Sequence, residues 1–411
     1  MHRRRIGWLG ILPLLASAVS CSSSGSGDEP VNELNGAGFG DGEIGRPGGP
    51  SSAGGAGVDA PSAALGAEAP APSSASDEGA PGVSGEIAAE EADASGAPAL
   101  PPSDDIAVEP GPTPIAAGTL TAGTWDDNRN LDRFLSYREQ LHQQNTPGLL
   151  GFSASEHEAA HSAFAQPTPH ATLDVSLVID TTGSMGDELG YLQTEFIAIS
   201  SAIEAKYPNA EQRWSLVLYK DEGDQYVSRW FDFRSDAQDF RGHLAEQSAS
   251  GGGDFPEAPD AAFEVMNQLS WRGGPDTARL AFWVADAPHH AENAATLEAG
   301  IEAAEAQGIH IYPVASSGID ELTELTMRSA AQLTGGRYLF LTDDSGVGNS
   351  HKEPSIPCYF VTKLDSAILR MVDVEMTGEY REPTADELVR ASGDPQDGTC
   401  TLQSGQPAFA F

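Results

Sequence analysis

The sequence predicts an α/β fold, namely a doubly wound, mostly parallel sheet that is flanked by helices and preceded by a long disordered linker. From about residue 173 onward, short apolar segments alternate with amphipathic ones, which is the order of strands and helices in such sheets. Residues 22 to about 114 are instead dominated by Ala, Gly, Pro, Ser and carboxylates. That composition cannot bury enough apolar surface to offset the entropy of ordering.

The individual elements follow from hydrophobic spacing. Residues 173–179 form a strand whose apolar end is expected for a central strand covered on both faces. A helix is predicted over residues 187–206, where Leu and Ile recur at intervals of three and four. The same reasoning predicts a hairpin of strands 214–219 and 226–233, strands 278–285, 309–315 and 337–341, and helices 236–247, 259–269, 294–307, 321–333 and 361–374.

The beginning of the chain has the pattern of an export signal. Basic residues precede an apolar run from Ile6 to Val19 that is too short to span a bilayer. The three residues before Cys21 are the small residues Ala18, Val19 and Ser20. The ending resembles the lipobox of bacterial lipoproteins, which implies acylation of Cys21, with plain cleavage as the alternative. The resulting domain prediction is a signal peptide 1–20, an acidic linker 21–116 that is anchored by lipid, a small companion segment 117–168, the α/β domain 169–380 and a C-terminal tail 381–411.

The charge balance excludes one class of partner. The chain has 22 basic and 61 acidic residues, a formal net charge of -39. Such a chain would repel phosphate backbones, so nucleic acid is not expected as a partner. Membrane contact is expected through the lipid anchor only, in the envelope of a bacterium, either at an outer membrane, in the periplasm or facing the surface.

A turn rich in oxygen donors follows the first strand of the α/β domain. Asp180, Thr182 and Ser184 are each two residues apart, so their side chains can point to a common centre. Carboxylate and hydroxyl oxygens suit Mg²⁺, Ca²⁺ or Mn²⁺ better than zinc. Such a turn can also simply cap the following helix, which is the alternative reading of these three residues.

Two further segments strengthen the metal hypothesis. Gly251, Gly252 and Gly253 allow close backbone approach in a loop that presents Glu257. Asp286 ends the buried strand 278–285, as Asp180 ends the strand 173–179. Because the carboxyl ends of parallel strands meet at one edge of a sheet, the two aspartates are expected to lie together.

These residues resemble the metal-ion-dependent adhesion site of von Willebrand factor A (VWA) domains, and the likeness covers residues 173–374. The resemblance implies that Thr182, Ser184 and Glu257 bind the ion directly and that Asp180 and Asp286 act partly through water. Further acids match adjacent metal sites in the A-like domain of integrin β chains, namely Asp187, Glu188 and Asp254.

The resemblance also implies a function. VWA domains of this kind bind a protein partner when its carboxylate fills the remaining position of the ion, so we expect a surface-tethered adhesion module that is not an enzyme. Neither a Gly-x-Ser-x-Gly sequence nor a phosphate loop of the Gly-Lys-Ser/Thr type occurs. The alternatives are a structural envelope spacer, in which the ion only stabilises the fold, and a Mg²⁺-dependent hydrolase.

Two features outside the α/β core complete the sequence-based predictions. Motifs such as residues 219–226 and 120–128 are similar to those of a narrower group of bacterial exported VWA proteins, and in the second of them Trp125 is expected to be a packing anchor. Cys358 and Cys400 are the only thiols left once Cys21 is acylated. In an exported protein they are expected to form a disulfide, with two free buried thiols as the alternative.

Overall fold

The computed structural model describes residues 42–44, 115–163, 169–253, 255–402 and 405–411. The predicted signal peptide 1–20, the lipidation site Cys21, most of the linker 21–116 and the secondary-site residue Asp254 lie outside the described residues. None of the helices in the described ranges combines the length and the apolar character needed to cross a bilayer.

The described part of the chain alternates strands with helices over most of its length. The strands are β1 (Gly42–Ile44), β2 (Thr121–Trp125), β3 (Thr172–Asp180), β4 (Glu211–Tyr219), β5 (Ser228–Arg234), β6 (Thr277–Ala285), β7 (His310–Ala315), β8 (Tyr338–Leu341), β9 (Tyr359–Lys363), β10 (Leu388–Ser392), β11 (Thr399–Thr401) and β12 (Pro407–Phe409). The helices are α1 (Leu131–Gln143), α2 (Ala154–Ala163), α3 (Leu189–Lys206), α4 (Ala237–Ala245), α5 (Pro259–Gln268), α6 (Ala294–Ala306), α7 (Glu321–Thr334) and α8 (Leu364–Thr377).

One mixed sheet organises the fold, with its strands in the order β1-β5-β4-β3-β6-β7-β8-β2-β9-β10. Its centre, from β4 through β3, β6 and β7 to β8, is parallel. Antiparallel pairs flank this centre on both sides. The order reverses at β3, whose neighbours are the strand that follows it and the strand β6, so the carboxyl ends of β3 and β6 lie at the topological switch point.

Two apolar cores cover the two faces of the sheet. Along β3, Leu177 and Ile179 pack into one core, while Val178 between them packs into the other. Helices α3, α4 and α8 supply the first core, and α5, α6 and α7 supply the second. Side chains alternate between the faces of a strand, so the apolar end of β3 is covered on both faces, which confirms the predicted architecture.

Two details of the prediction have different outcomes. The hairpin is confirmed, because β4 and β5 pair antiparallel. The predicted start of the closing helix 361–374 is wrong, since residues 359–363 form strand β9 and α8 begins only at Leu364. Tyr359, Phe360, Val361 and Thr362 are aromatic or β-branched residues that suit a pleated surface. Strand β9 pairs with β2 and β10, neither of which helical spacing could reveal.

The companion segment 117–168 supplies a strand and two helices to this fold. Strand β2 lies between β8 and β9 inside the sheet. Trp125 is fully buried, and its indole Nε1 donates to Asp127 Oδ1 at 2.9 Å. Asp127 in turn pairs with Arg328 of α7. Trp125 therefore anchors the segment to the α/β domain by packing.

The predicted disulfide is present. Cys358 and Cys400 are bonded to each other, with their Cα atoms 6.4 Å apart. Both residues are buried, and the bond links the segment before β9 to β11. It therefore fixes part of the predicted C-terminal tail 381–411 against the sheet.

Candidate functional site

The predicted site lies where β3 and β6 end. The two strands pair in parallel register, with Ile179 opposite Val284. Asp180 is the last residue of β3, and Asp286 comes directly after β6. The register thus brings both carboxylates to one edge of the sheet, as the sequence predicts. Each side chain is almost completely buried.

Hydrogen bonds join the turn after β3 to both aspartates. Thr182 donates to Asp180 Oδ1 from its backbone N at 2.8 Å and from its hydroxyl at 2.6 Å. The Ser184 hydroxyl lies 3.2 Å from that of Thr182 and is hydrogen-bonded to Asp286. Ser184 is exposed, whereas Asp180, Thr182 and Asp286 are buried. The cluster therefore opens to solvent on the side of Ser184.

The glycine-rich loop brings Glu257 to the same cluster. Glu257 is buried, its side chain is hydrogen-bonded to Thr182, and its backbone N donates to Pro288 O at 2.9 Å. Gly252 has a positive φ of 70°, and a Cβ at this position would lie only 2.9 Å from Glu257 Oε1 and 3.0 Å from Thr182 Cβ. A side chain here would therefore displace two of the predicted ligands, which explains the glycine.

The three carboxylates form a strained group. Burial raises the pKa of each carboxyl group, to about 6 for Asp180. For Asp286 and Glu257, repulsion from neighbouring carboxylates also raises the pKa, to about 7 and about 9 respectively. One oxygen of each carboxylate is buried without a hydrogen-bond partner, namely Asp180 Oδ2, Glu257 Oε2 and Asp286 Oδ1. Buried polar atoms are normally paired, so these three oxygens lack a partner that a cation would provide.

The donor set fits a hard divalent cation whose ligands include hydroxyls. In the described residues, no three His, Cys, Asp or Glu side chains lie close enough to hold one ion by themselves. Thr182 and Ser184 add two oxygens to the carboxylates, and water completes the shells of hard cations in many proteins. The residues present therefore suit Mg²⁺, Ca²⁺ or Mn²⁺ better than a thiolate- or imidazole-seeking metal.

The predicted secondary site is engaged with other parts of the chain. Asp187 Oδ2 accepts hydrogen bonds from the backbone N and the side chain of Asn349, at 2.7 and 2.6 Å. Glu188 Oε1 accepts from the backbone N of Ser317 at 3.2 Å and lies 2.9 Å from His351 Nε2. A flanking ion at this pair would have to share or replace these partners, so the secondary site stays a prediction.

Helix α2 contains the sequence His-Glu-Ala-Ala-His at residues 157–161. This is the spacing of zinc-binding helices in metallopeptidases. The two histidines do not converge. His157 is fully buried with Nδ1 2.5 Å from Gln332 Oε1, whereas Glu158 and His161 are exposed. His157 packs edge-on against Phe134. In this structure the motif therefore contributes a core histidine instead of a metal centre.

The raised pKa values predict how pH affects stability without metal. The folded protein holds protons on Asp180, Glu257 and Asp286 that the unfolded chain loses near pH 4. Their contribution to stability is therefore complete below about pH 4 and is lost as the pH rises towards 9. In chelator, we expect the melting temperature to fall between pH 6 and pH 9, and to fall less in Glu257→Gln. Parallel curves for the two proteins would contradict the prediction.

Comparison with known families agrees with the α/β fold. Residues 174–343 match the family model described as "von Willebrand factor A domain". This range begins in β3 and ends just after β8, so it contains both strands that carry Asp180 and Asp286 and the loop that carries Glu257.

Two curated relatives match segments of similar length in this chain. A putative ariadne-like RING finger protein R811 of Acanthamoeba polyphaga mimivirus is 31% identical over 125 residues, which are 30% of this chain and 12% of that protein. The alpha-protein kinase vwkA of Dictyostelium discoideum is 26% identical over 120 residues, 29% of this chain and 19% of that protein. The matches thus span less than a fifth of either relative.

Among solved structures, the conserved hypothetical protein BatB from Bacteroides thetaiotaomicron is similar at 14% identity and a TM-score of 0.30, covering 41% of this chain and 89% of that one. The family match, the sheet order and the position of the acidic turn after the first central strand lead to the same conclusion. Residues 174–343 of this protein are similar in sequence to the von Willebrand factor A domain, and they lie in a mostly parallel α/β sheet.

Proposed function

We propose that this protein is a binding module that captures a protein partner through a divalent ion and is tethered to a bacterial envelope by a lipid on Cys21. The ion would be held by Thr182, Ser184 and Glu257, with Asp180 and Asp286 partly acting through water. Mg²⁺ is the proposed ion, with Ca²⁺ or Mn²⁺ as substitutes. The observation that carries this proposal is the trio of buried carboxylate oxygens without a partner.

The geometry supports the proposed mode of binding. When bound, the ion would supply a Lewis-acidic position for an oxygen ligand from outside. Asp180 and Glu257 are buried and provide negative charge from below, while exposed Ser184 marks the side that solvent and a partner can reach. A partner carboxylate is the expected ligand, because an anion is attracted by the cation and repelled by the net negative charge of the rest of the chain.

The structural-spacer alternative differs in one measurable respect. In a spacer the ion would stabilise the loops and no partner would depend on it. In the proposed binding module, removal of the ion must remove the partner as well. The hydrolase alternative would require metal-dependent turnover that is lost in Glu257→Ala, which phosphatase and peptidase screens in Mg²⁺ can detect.

The test is affinity capture with the full-length protein in detergent-solubilised envelope extract. We expect a partner to be retained in about 1 mM Mg²⁺ or Ca²⁺, the upper end of the range over which extracellular calcium modules bind their ion, and to be lost in chelator. Asp286→Ala should lose the same partner in Mg²⁺, because the carboxylate ends the buried strand β6 and faces the proposed ion.

A matched control is Asp386→Ala, which removes an exposed carboxylate from the C-terminal tail and should retain the partner. Retention that is indifferent to chelator and to Asp286→Ala would favour the spacer. A peptide competitor with a free carboxylate should displace the partner, whereas its amidated form should not.

A further inference from the structure

Lys220 has an unusual position for a lysine, because it lies behind the candidate site instead of in solvent. It directly follows β4, the neighbour of β3, and only 2% of the residue is exposed. Its backbone N donates to Val227 O at 3.0 Å, which closes the β4–β5 hairpin. A lysine is rarely buried to this degree unless its charge is paired.

The ammonium group of Lys220 joins the two loops of the site. Its Nζ donates to the backbone carbonyls of Thr181 and Ser250, and Ser250 Oγ lies 3.4 Å away. Thr181 stands between Asp180 and Thr182, and Ser250 precedes the glycine-rich loop that leads to Glu257. One side chain thus connects the turn after β3 to the loop that carries the third carboxylate.

Two backbone hydrogen bonds reinforce this connection. Ser250 N donates to Thr181 O at 3.1 Å, and Gly183 N donates to Gly251 O at 3.0 Å. The carbonyl of Thr181 therefore receives both Ser250 N and the Lys220 ammonium. Both hydrogen bonds connect one loop to the other. Hydrogen exchange of the Ser250 and Gly183 amides therefore reports on whether the loops stay together.

The charge of Lys220 also faces the carboxylates of the site. Asp224, Asp180 and Glu257 all interact favourably with its ammonium. Asp224 in turn accepts from Gly252 N at 2.8 Å, on the glycine-rich loop. An ammonium group at this place offsets part of the repulsion among the buried carboxylates whether or not a divalent ion is present.

We propose that Lys220 is a positioning residue that clamps the turn after β3 to the glycine-rich loop, so that the ion ligands are assembled before the divalent ion arrives. This inference rests on the proposed function for its metal, but the clamp itself acts in the ion-free protein. Without the clamp, ion binding has to order two loops and becomes weaker, even though a nearby positive charge has been removed.

The experiment compares the full-length protein with Lys220→Met, which removes charge and donor, and Lys220→Gln, which keeps a donor without the charge. The Kd for Mn²⁺ is measured by calorimetry, and amide hydrogen exchange is measured in chelator. Lys363→Met is the matched control, since Lys363 is exposed at the end of β9 and its ammonium only reaches Thr119 O at 3.4 Å.

We expect Lys220→Met to raise the Kd for Mn²⁺ about tenfold and to accelerate exchange of the Gly183 and Ser250 amides in the ion-free state, while the amide of Val178 within β3 stays protected. Lys220→Gln should show a smaller change in the same direction, and it provides the measurement if Lys220→Met fails to fold. Lys363→Met should match the natural protein.

Three results would overturn the inference. An unchanged Kd and unchanged exchange in both Lys220 variants would mean that the lysine only fills space. Tighter Mn²⁺ binding would mean that its charge competes with the ion. If the natural protein binds no Mn²⁺, the proposed function fails and the inference fails with it, whereas normal Mn²⁺ binding with indifferent Lys220 variants removes the inference alone.

Discussion

Saturating Mg²⁺ or Ca²⁺ is expected to raise the free energy of unfolding by about 2.7 kcal/mol at a hundred times the dissociation constant, and by about 4.1 kcal/mol at a thousand times. The physical reason is the repulsion among Asp180, Glu257 and Asp286, each with an oxygen that lacks a partner. Melting curves in the ion and in chelator measure the difference. Asp180→Ala should remove nearly all of it.

Glu257→Gln is the decisive companion variant. Glu257 has the most strongly raised pKa of the three, owing to burial first and to Asp180 and other carboxylates next. The neutral amide should therefore stabilise the protein in chelator at pH 8 yet abolish the response to the ion. A variant that melts like the natural protein in chelator and still responds to Mg²⁺ would contradict the proposed ligand set.

The convergence of Asp180 and Asp286 could be predicted from the sequence because it depends on local information. Each aspartate ends a continuous apolar run, and parallel strands place their carboxyl ends at the same edge. The position of Glu257 is harder to predict from the sequence, since only the glycines before it indicate a close approach of the backbone. The structure explains Gly252, because a Cβ at this position would lie 2.9 Å from Glu257 Oε1 and 3.0 Å from Thr182 Cβ.

Other features depend on contacts between residues far apart in sequence, which spacing cannot reveal. Lys220 follows a strand, and a lysine at such a position normally reaches solvent. Its hydrogen bond to Thr181 O depends on the tertiary structure and could not be predicted from the spacing. Glu188 lies against His351, a residue 163 positions later by the numbering of the chain. Strand β2 finds its place between β8 and β9 by antiparallel pairing across the whole domain.

A short sequence motif can also mislead when its environment is unknown. Residues 157–161 have the spacing of a zinc-binding helix, but the first histidine is committed to Gln332 and the core while the second faces solvent. The acidic turn at Asp180 has a less specific sequence, yet its side chains do converge. Burial and orientation decide between the two cases, and both are properties of the fold.

The companion segment 117–168 is joined to the α/β domain by a buried charge network around Arg328. Arg328 is fully buried and donates to Asp127 through Nε at 3.0 Å and Nη2 at 2.7 Å. Its Nη1 donates to Glu324 Oε1 at 3.0 Å. The guanidinium also lies 5.0 Å from the ring centre of Tyr137 in α1. Residues that precede the family match therefore contribute to the stability of the α/β domain.

Arg328→Met is expected to destabilise the protein by about 3–5 kcal/mol, because it leaves Asp127 buried without its cation and leaves Glu324 with Lys352 alone, at 3.1 Å. Chemical denaturation of the full-length protein measures the loss. The partly exposed pair Arg381–Glu387, with side chains 38% and 23% exposed, is the control, and Arg381→Ala should cost about 1 kcal/mol or less.

The double variant Arg328→Met with Asp127→Asn separates the network from simple packing. If the cost of Arg328→Met comes from stranded carboxylates, neutralising Asp127 should recover part of it, and the two substitutions should be strongly non-additive. Strict additivity would mean that the loss arises from packing around the guanidinium. Recovery would show that residues 117–168 are attached to α7 by charge pairing in a dry interior, where salt has little screening effect.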